Sequence, residues 1–157
     1  MTILEIGAAA PNFTLATDSG SDFTLSEQAG KAIVLFFYPK DDTSGCTIEN
    51  IEFTQLKGEF EAAGVKIVGI SPDSVDDHCK FRDKYELGVI LAADPDHQAI
   101  GPYGVWGEKL NYGKKYMGLS RTTYLIGPDG NIAQVWKVRG VEGHAAKVLE
   151  AARALNL

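Results

Sequence analysis

The chain's 157 residues, 45% hydrophobic, 23% charged and 10% aromatic, supply one buried core and exclude a disordered chain. Fifteen Lys and Arg against twenty-one Asp and Glu leave a formal charge of −6, which disfavours a nucleic-acid or anionic-membrane partner. Two cysteines, Cys46 and Cys79, are too few for a disulfide framework or a cysteine-only zinc site, and His78, His97 and His144 show no ligand spacing with them.

The first thirty residues carry no Lys or Arg, and Pro11 and Asn12 break their apolar stretches, so no secretory signal is expected. No apolar run approaches the ~20 residues of a membrane span. There is no repeat or linker, so residues 1–157 are expected to form one cytoplasmic domain. No motif asks for a cofactor or a metal.

In chain order, Phe13-Thr14-Leu15 and Phe23-Thr24-Leu25 alternate apolar and polar residues around a turn-rich segment, which predicts an N-terminal hairpin. Residues 32–38 form a continuous apolar run, the pattern of a strand buried on both faces. Ile48, Ile51, Leu56, Phe60 and Ala63 then fall on one stripe of a helix expected to end at Gly64. A second buried strand is predicted over 65–70, a helix capped by Ser74 over about 75–86, and a short strand over 89–92. Asp94-Pro95-Asp96 leads into a short helical segment reaching about Ile100, and the glycine-rich stretch 101–119 reads as irregular. Strands over 121–126 and 131–138, joined at Gly127-Pro128-Asp129-Gly130, form a hairpin, and a helix over about 142–155 closes the chain.

The order β-α-β-α, then insertions, then β-β-α predicts an α/β domain of the thioredoxin fold. The expected architecture is a mainly parallel central sheet with helices on both faces, a terminal antiparallel hairpin and an N-terminal hairpin extension. A flavodoxin-like doubly wound sheet is the alternative, and the final hairpin argues against it.

The chemistry concentrates where the first buried strand gives way to the first long helix. There Cys46 lies near unpaired backbone N–H groups and the positive end of the helix dipole, both of which favour the thiolate, the nucleophilic form. A redox thioredoxin would carry Cys-x-x-Cys at this place; here Thr43 stands first, and a hydroxyl cannot form a disulfide. From position alone, a buried structural cysteine is an equally good reading.

The run Pro39-Lys40-Asp41-Asp42-Thr43-Ser44-Gly45-Cys46 resembles the Pro-x-x-x-Thr/Ser-x-x-Cys pattern of the peroxiredoxins, in particular the bacterioferritin-comigratory-protein or peroxiredoxin Q group. Further segments resemble the same group in order along nearly the whole chain. They are Ala10 to Leu15, Gly69 to Ser74, Tyr103 to Lys109, Tyr112 to Gly118 and Ser120 to Ile126. The resemblance implies a thiol-dependent peroxidase acting on hydrogen peroxide and organic hydroperoxides, with Cys46 as the peroxidatic nucleophile that becomes a sulfenic acid. It assigns the Thr43 hydroxyl to the thiolate and the peroxide, Arg121 to both as a fixed cation, and Pro39 to shielding the sulfur. Backbone N–H groups of Gly45 and Cys46 complete the implied pocket. Glu49 either pairs with an arginine or is a solvated first-turn acid.

Many members of the group carry a resolving cysteine five residues after the reactive one, where this chain has Ile51. Others place it on the next helix, which makes Cys79 the candidate; the other reading of Cys79 is a small core residue. The implied reductant is thioredoxin, glutaredoxin or another thiol, and the implied assembly a monomer or weak dimer. Lys109, Lys114 and Lys115 with Trp106, Tyr112 and Tyr116 read as a solvated and packing segment, and His78 as a surface histidine. A disulfide oxidoreductase and a non-catalytic binding or holdase module on the same fold are the competing functions.

Overall fold

The computed structural model describes residues 3–155. The apolar alternation builds the expected N-terminal hairpin from β1 (Thr14–Ala16) and β2 (Asp22–Thr24), with Leu15 opposite Phe23. Next come β3 (Ala32–Phe37), α1 (Ser44–Gln55), α2 (Lys57–Ala62), β4 (Val65–Ser71), α3 (Val75–Tyr85) and β5 (Ile90–Ala93). The second half carries β6 (Trp106–Asn111), β7 (Lys114–Leu119), β8 (Thr122–Ile126), β9 (Ile132–Lys137) and α4 (His144–Ala154).

The central sheet runs β5-β4-β3-β8-β9. Its β3–β4 and β4–β5 pairs are parallel, its β3–β8 and β8–β9 pairs antiparallel, so the sheet is evenly mixed rather than mainly parallel. Alternate residues of β3 feed two separate cores. Ile33, Leu35 and Phe37 face one packed by Phe13, Phe23, Ile100, Tyr103 and Tyr124. Val34, Phe36 and Tyr38 face another packed by Cys46 and Phe53 of α1, Phe60 of α2, Phe81 of α3, and Val148 and Leu149 of α4.

All four α-helices therefore pack on one face, and a short 3-10 helix, Leu25–Gln28, places Leu25 in the core on the other. The reason is geometric. The path β3-α1-β4-α3-β5 steps along the sheet in one direction, and right-handed crossovers then place both helices on the same side. The N-terminal hairpin and the turns around residues 97–104 cover the other face, where 94–100 forms turns instead of the expected helical segment. There the Asp94 carboxylate accepts the Gln98, Ala99 and Ile100 amides at 2.6, 2.9 and 2.8 Å.

Two further expectations change. The long first helix breaks at Leu56 into α1 and α2, and its buried face is Cys46, Glu49, Asn50 and Phe53. Ile48, on the expected stripe, is exposed. The apolar stripe misled because two of the buried positions carry polar side chains. The irregular stretch 101–119 contains a regular hairpin, β6–β7, turning at Tyr112-Gly113 with φ of 52° and 79°. Two successive positive-φ residues are what a two-residue turn of matching twist requires. Its pattern was hidden because both of its faces are largely exposed and mix lysines with Leu110, Tyr116 and Met117.

His144 opens α4 and is buried, edge-on to both Phe53 and Trp136, with Nε2 2.8 Å from Thr123 Oγ1. Burial pushes its pKa down to about 4, with lesser contributions from Lys147 and Arg121. Among the described residues no helix is long and apolar enough to cross a membrane.

Candidate active site

The C-terminal end of β3 delivers Pro39 to Thr43 into the loop that starts α1. Thr43 is the extended N-cap (φ −101°, ψ 156°), and the first helical bond is Thr47 N–H to the Thr43 carbonyl at 2.8 Å. Ser44, Gly45 and Cys46 thus occupy the first turn, where backbone N–H groups have no intrahelical acceptor. The Thr43 side chain makes no capping bond to them, and its hydroxyl donates to the Lys40 carbonyl at 2.8 Å. Cys46 is 1% exposed and packs in the helix-covered core.

Arg121, just before β8, reaches across from the sheet. Its Nη2 donates to Cys46 Sγ at 3.3 Å and its Nη1 to Glu49 Oε1 at 2.7 Å. Its carbonyl accepts the Val138 amide at 2.9 Å, which fixes the backbone from which the guanidinium extends. Gly45 leaves room for it, since a Cβ there would lie 3.1 Å from Arg121 Nη2. Of the five site residues expected from sequence, Cys46 and Arg121 meet directly, and Pro39 lines an open cavity beside Arg121. Thr43 sits at the helix start with its hydroxyl turned to Lys40.

Glu49 is 1% exposed and paired with Arg121, so the solvated alternative is excluded. Burial pushes its carboxyl up to about 7 against the opposing pull of Arg121. Asn50 donates from Nδ2 to the Cys46 carbonyl at 2.9 Å. Glu49 Oε2 and Asn50 Oδ1 are buried without a hydrogen-bond partner among the described residues. Sequence reasoning passed over Asn50. The signal was spacing, because positions three and four after Cys46 share its helix face.

Glu49 and His144 give stability two opposed pH slopes. The unfolded chain protonates His144 near 6.5 and the folded protein only near 4, so this term raises stability as pH rises from 4 to 6.5. The folded protein holds the Glu49 proton up to about 7 and the unfolded chain loses it near 4.5, so this term lowers stability over 4.5 to 7. We predict that urea midpoints of the Glu49→Gln variant climb with pH between 4.5 and 6.5, whereas those of His144→Gln fall. Parallel profiles in the two variants would refute these assignments.

Cys79 lies apart from this cluster. It is half-buried on α3 in neither core, and its thiol donates to the Asp18 carbonyl at 3.4 Å, beneath the β1–β2 turn. Arg82, one turn on, donates to the same carbonyl at 2.7 Å. Both cysteines are free. His78, expected at the surface, is fully buried and hydrogen-bonded to Asp41. Asp41, Asp73 and His78 bring ligand-type atoms within 4.8 Å of one another, but these atoms bond to protein partners: Asp41 to His78, and Asp73 to Ser71 and the Asp41 amide.

The cavity beside Arg121 measures about 510 Å³. Its lining is mixed: Ile3, Pro39 and Val138 are apolar, Ser120 and Thr122 are polar, and Lys109, Arg121 and Lys137 are cationic, with no acidic residue. A second cavity of about 540 Å³, near Lys31, Lys57 and Lys66, lies by the start of β4 and so at the opposite end of the strand from the site.

A thiol held by an arginine at a helix start is what the sequence resemblance implied, and comparison with known proteins gives the family. The AhpC/TSA family model matches residues 6–135. The chain belongs to the AhpC/TSA family. It is similar to a putative peroxiredoxin bcp of Coxiella burnetii, 45% identical over 146 residues covering 93% of this chain and 97% of the relative. It is also similar to Xanthomonas campestris bacterioferritin comigratory protein, solved as trapped intermediate and ligand complexes in connection with its alkyl peroxide reduction activity. That likeness has a TM-score of 0.88 and 40% identity over 98% of each chain. Xanthomonas campestris peroxiredoxin Q, at TM-score 0.88, has been solved with either of two cysteines changed to serine. Those two positions lie three residues further apart in sequence than Cys46 and Cys79. The chain is a thiol-dependent peroxidase with a thioredoxin-fold scaffold.

Proposed function

We propose that Cys46 is the peroxidatic cysteine, and the observation that carries this is Arg121 Nη2 lying 3.3 Å from its buried sulfur at the start of α1. The Cys46 thiolate attacks one peroxide oxygen. The S–O bond forms as the O–O bond breaks, sulfur is oxidised to the sulfenic acid, and the departing oxygen takes a proton to leave as water or alcohol. Negative charge moves from sulfur to the departing oxygen. Arg121 and the first-turn N–H groups are donors fixed beside that path, so they cost no reorganisation during the step. Glu49 holds the other arm of Arg121. Pro39 offers no N–H to compete for the sulfur. The Thr43 hydroxyl, donating to the Lys40 carbonyl, keeps its oxygen lone pairs to accept from the peroxide.

Substrates are hydrogen peroxide and organic hydroperoxides. A cavity of about 510 Å³ beside Arg121 exceeds what hydrogen peroxide needs, and Ile3, Pro39 and Val138 give an organic hydroperoxide some apolar contact among its polar lining. The test is consumption of hydrogen peroxide and tert-butyl hydroperoxide with thioredoxin and its reductase as the thiol source, glutaredoxin with glutathione being the other arm. Turnover of both peroxides is expected, and no turnover with either reductant would refute the reading.

Cys79 is the resolving thiol: it attacks the sulfenic sulfur, forms the Cys46–Cys79 disulfide and releases water, after which an external dithiol reduces the disulfide. The support is its free, half-buried thiol on α3, the helix that follows β4. The cysteines hold different partners, Arg121 for one and Asp18 for the other, so the disulfide requires a local rearrangement near one or both. After one equivalent of peroxide, wild type is expected to show the intramolecular disulfide and Cys79→Ser a persistent sulfenic acid or mixed disulfide. Thioredoxin-supported turnover of Cys79→Ser equal to that of wild type would remove Cys79 from the mechanism.

A further inference from the structure

The peroxidatic loop is tied to α3, the helix that carries Cys79, by its two central residues. Asp42, at φ 58°, accepts from Lys84 Nζ at 2.8 Å and Tyr85 Oη at 2.7 Å. Those contacts are exposed and add little. Asp41 is different: it is buried, and its Oδ2 lies 2.6 Å from Nδ1 of the fully buried His78.

The proton count of this pair follows from its partners. His78 Nε2 lies 3.1 Å from the Ala92 carbonyl, which only accepts, so that nitrogen carries a hydrogen. Tyr38 Oη donates to Asp41 Oδ1 at 2.6 Å. Burial, then the charge of Asp41, hold the Tyr38 proton on well above the ordinary phenol range. Asp73 accepts the Asp41 amide at 2.8 Å and completes the enclosure from the β4–α3 connection. From β5 the Ala92 carbonyl faces the ring, and Asp18 is engaged by Arg82. One proton therefore sits between Asp41 and His78 in an enclosed network where each group has a partner. Such a pair is costly to break because it leaves a buried polar group unpaired.

The placement of the pair gives it a role. Asp41 stands between Pro39 and Thr43, five residues before Cys46, and His78 immediately precedes Cys79. We propose that Asp41 and His78 form a latch that positions the peroxidatic loop for reaction with peroxide and that opens before the two sulfurs join. The inference rests on Cys46 and Cys79 acting as the peroxidatic and resolving thiols. Asp41 and His78 act through Cys46 and are positioning residues. Moving the Cys46 turn strains the latch from the loop side, and moving the Cys79 turn strains it from the helix side. A closed latch thus favours the first chemical step and opposes the second.

The test uses Asp41→Asn and His78→Gln, singly and together, with the oxidation of Cys46 and the disulfide-forming step read separately in single turnovers. Each single variant is expected to slow Cys46 oxidation by about tenfold and to speed disulfide formation, with the double variant no worse than either single. Hydrogen exchange of amides in 39–46 and 75–82 is expected to quicken before any peroxide is added. General loss of structure would instead slow both steps and add up across the two sites. Both rates moving the same way, additive losses, or unchanged exchange in both segments would overturn the latch. Wild type that forms no Cys46–Cys79 disulfide would remove the resolving role of Cys79, while exchange and the Cys46 oxidation rate would still decide whether the pair positions the loop.

Discussion

Cys46→Ser is expected to abolish peroxide turnover while leaving the fold intact. The reaction needs an atom that can give up two electrons to the peroxide and accept an oxygen, which a thiolate does and a serine hydroxyl does not. The replacement is close to isosteric, and a serine hydroxyl in that position meets the Arg121 donor already 3.3 Å from the sulfur, so the new polar atom is not orphaned. The thermal midpoint should therefore change little. Peroxide consumption at the uncatalysed rate, with an unfolding curve close to wild type, is the expected pair of results. Consumption well above that rate would mean that another group, with Cys79 as the remaining thiol, reacts with peroxide.

Arg121→Met is the second large effect, about 10²–10³-fold in the rate of Cys46 oxidation, the size expected when one fixed donor to a developing anion is lost. The guanidinium does two jobs at once. One arm donates to the sulfur, and the other holds Glu49, whose carboxyl is buried and already has one unpaired oxygen. Methionine fills the space and removes both interactions. Burial then acts on Glu49 without the opposing cation and drives it further toward the neutral acid. Arg121→Lys should fall between wild type and Arg121→Met, because a single ammonium cannot span two acceptors as a planar fork does. Stopped-flow oxidation by hydrogen peroxide checks the series. Equal rates for the Lys and Met variants would show that charge contributes nothing beyond bulk.

Elements whose burial matches their composition were legible in the sequence. β3 is apolar at all six positions and is buried at all six. The Pro39, Thr43 and Cys46 spacing located the loop because the chain itself supplies that geometry, strand to turn to helix. What escaped follows from the same rule. Glu49, Asn50 and His78 are polar types that composition assigns to the surface, and each is buried because a partner elsewhere satisfies part of it. Asp41 and His78 are 37 residues apart, and no local pattern announces that pairing. The β6–β7 hairpin failed in the other direction. With both faces largely open to solvent and lysines on each, its strands lacked an apolar alternation to read. The one-sided arrangement of helices depends on strand order, which the chain reveals only once the sheet is assembled.

The most direct test of the account locates the oxygen. Cys79→Ser protein treated with one equivalent of hydrogen peroxide, trapped with dimedone and digested, is mapped by mass spectrometry. The account predicts a single adduct, on Cys46, and none when Arg121→Met is treated identically for the same short time. A wild-type rate of peroxide loss without a Cys46 adduct would contradict it.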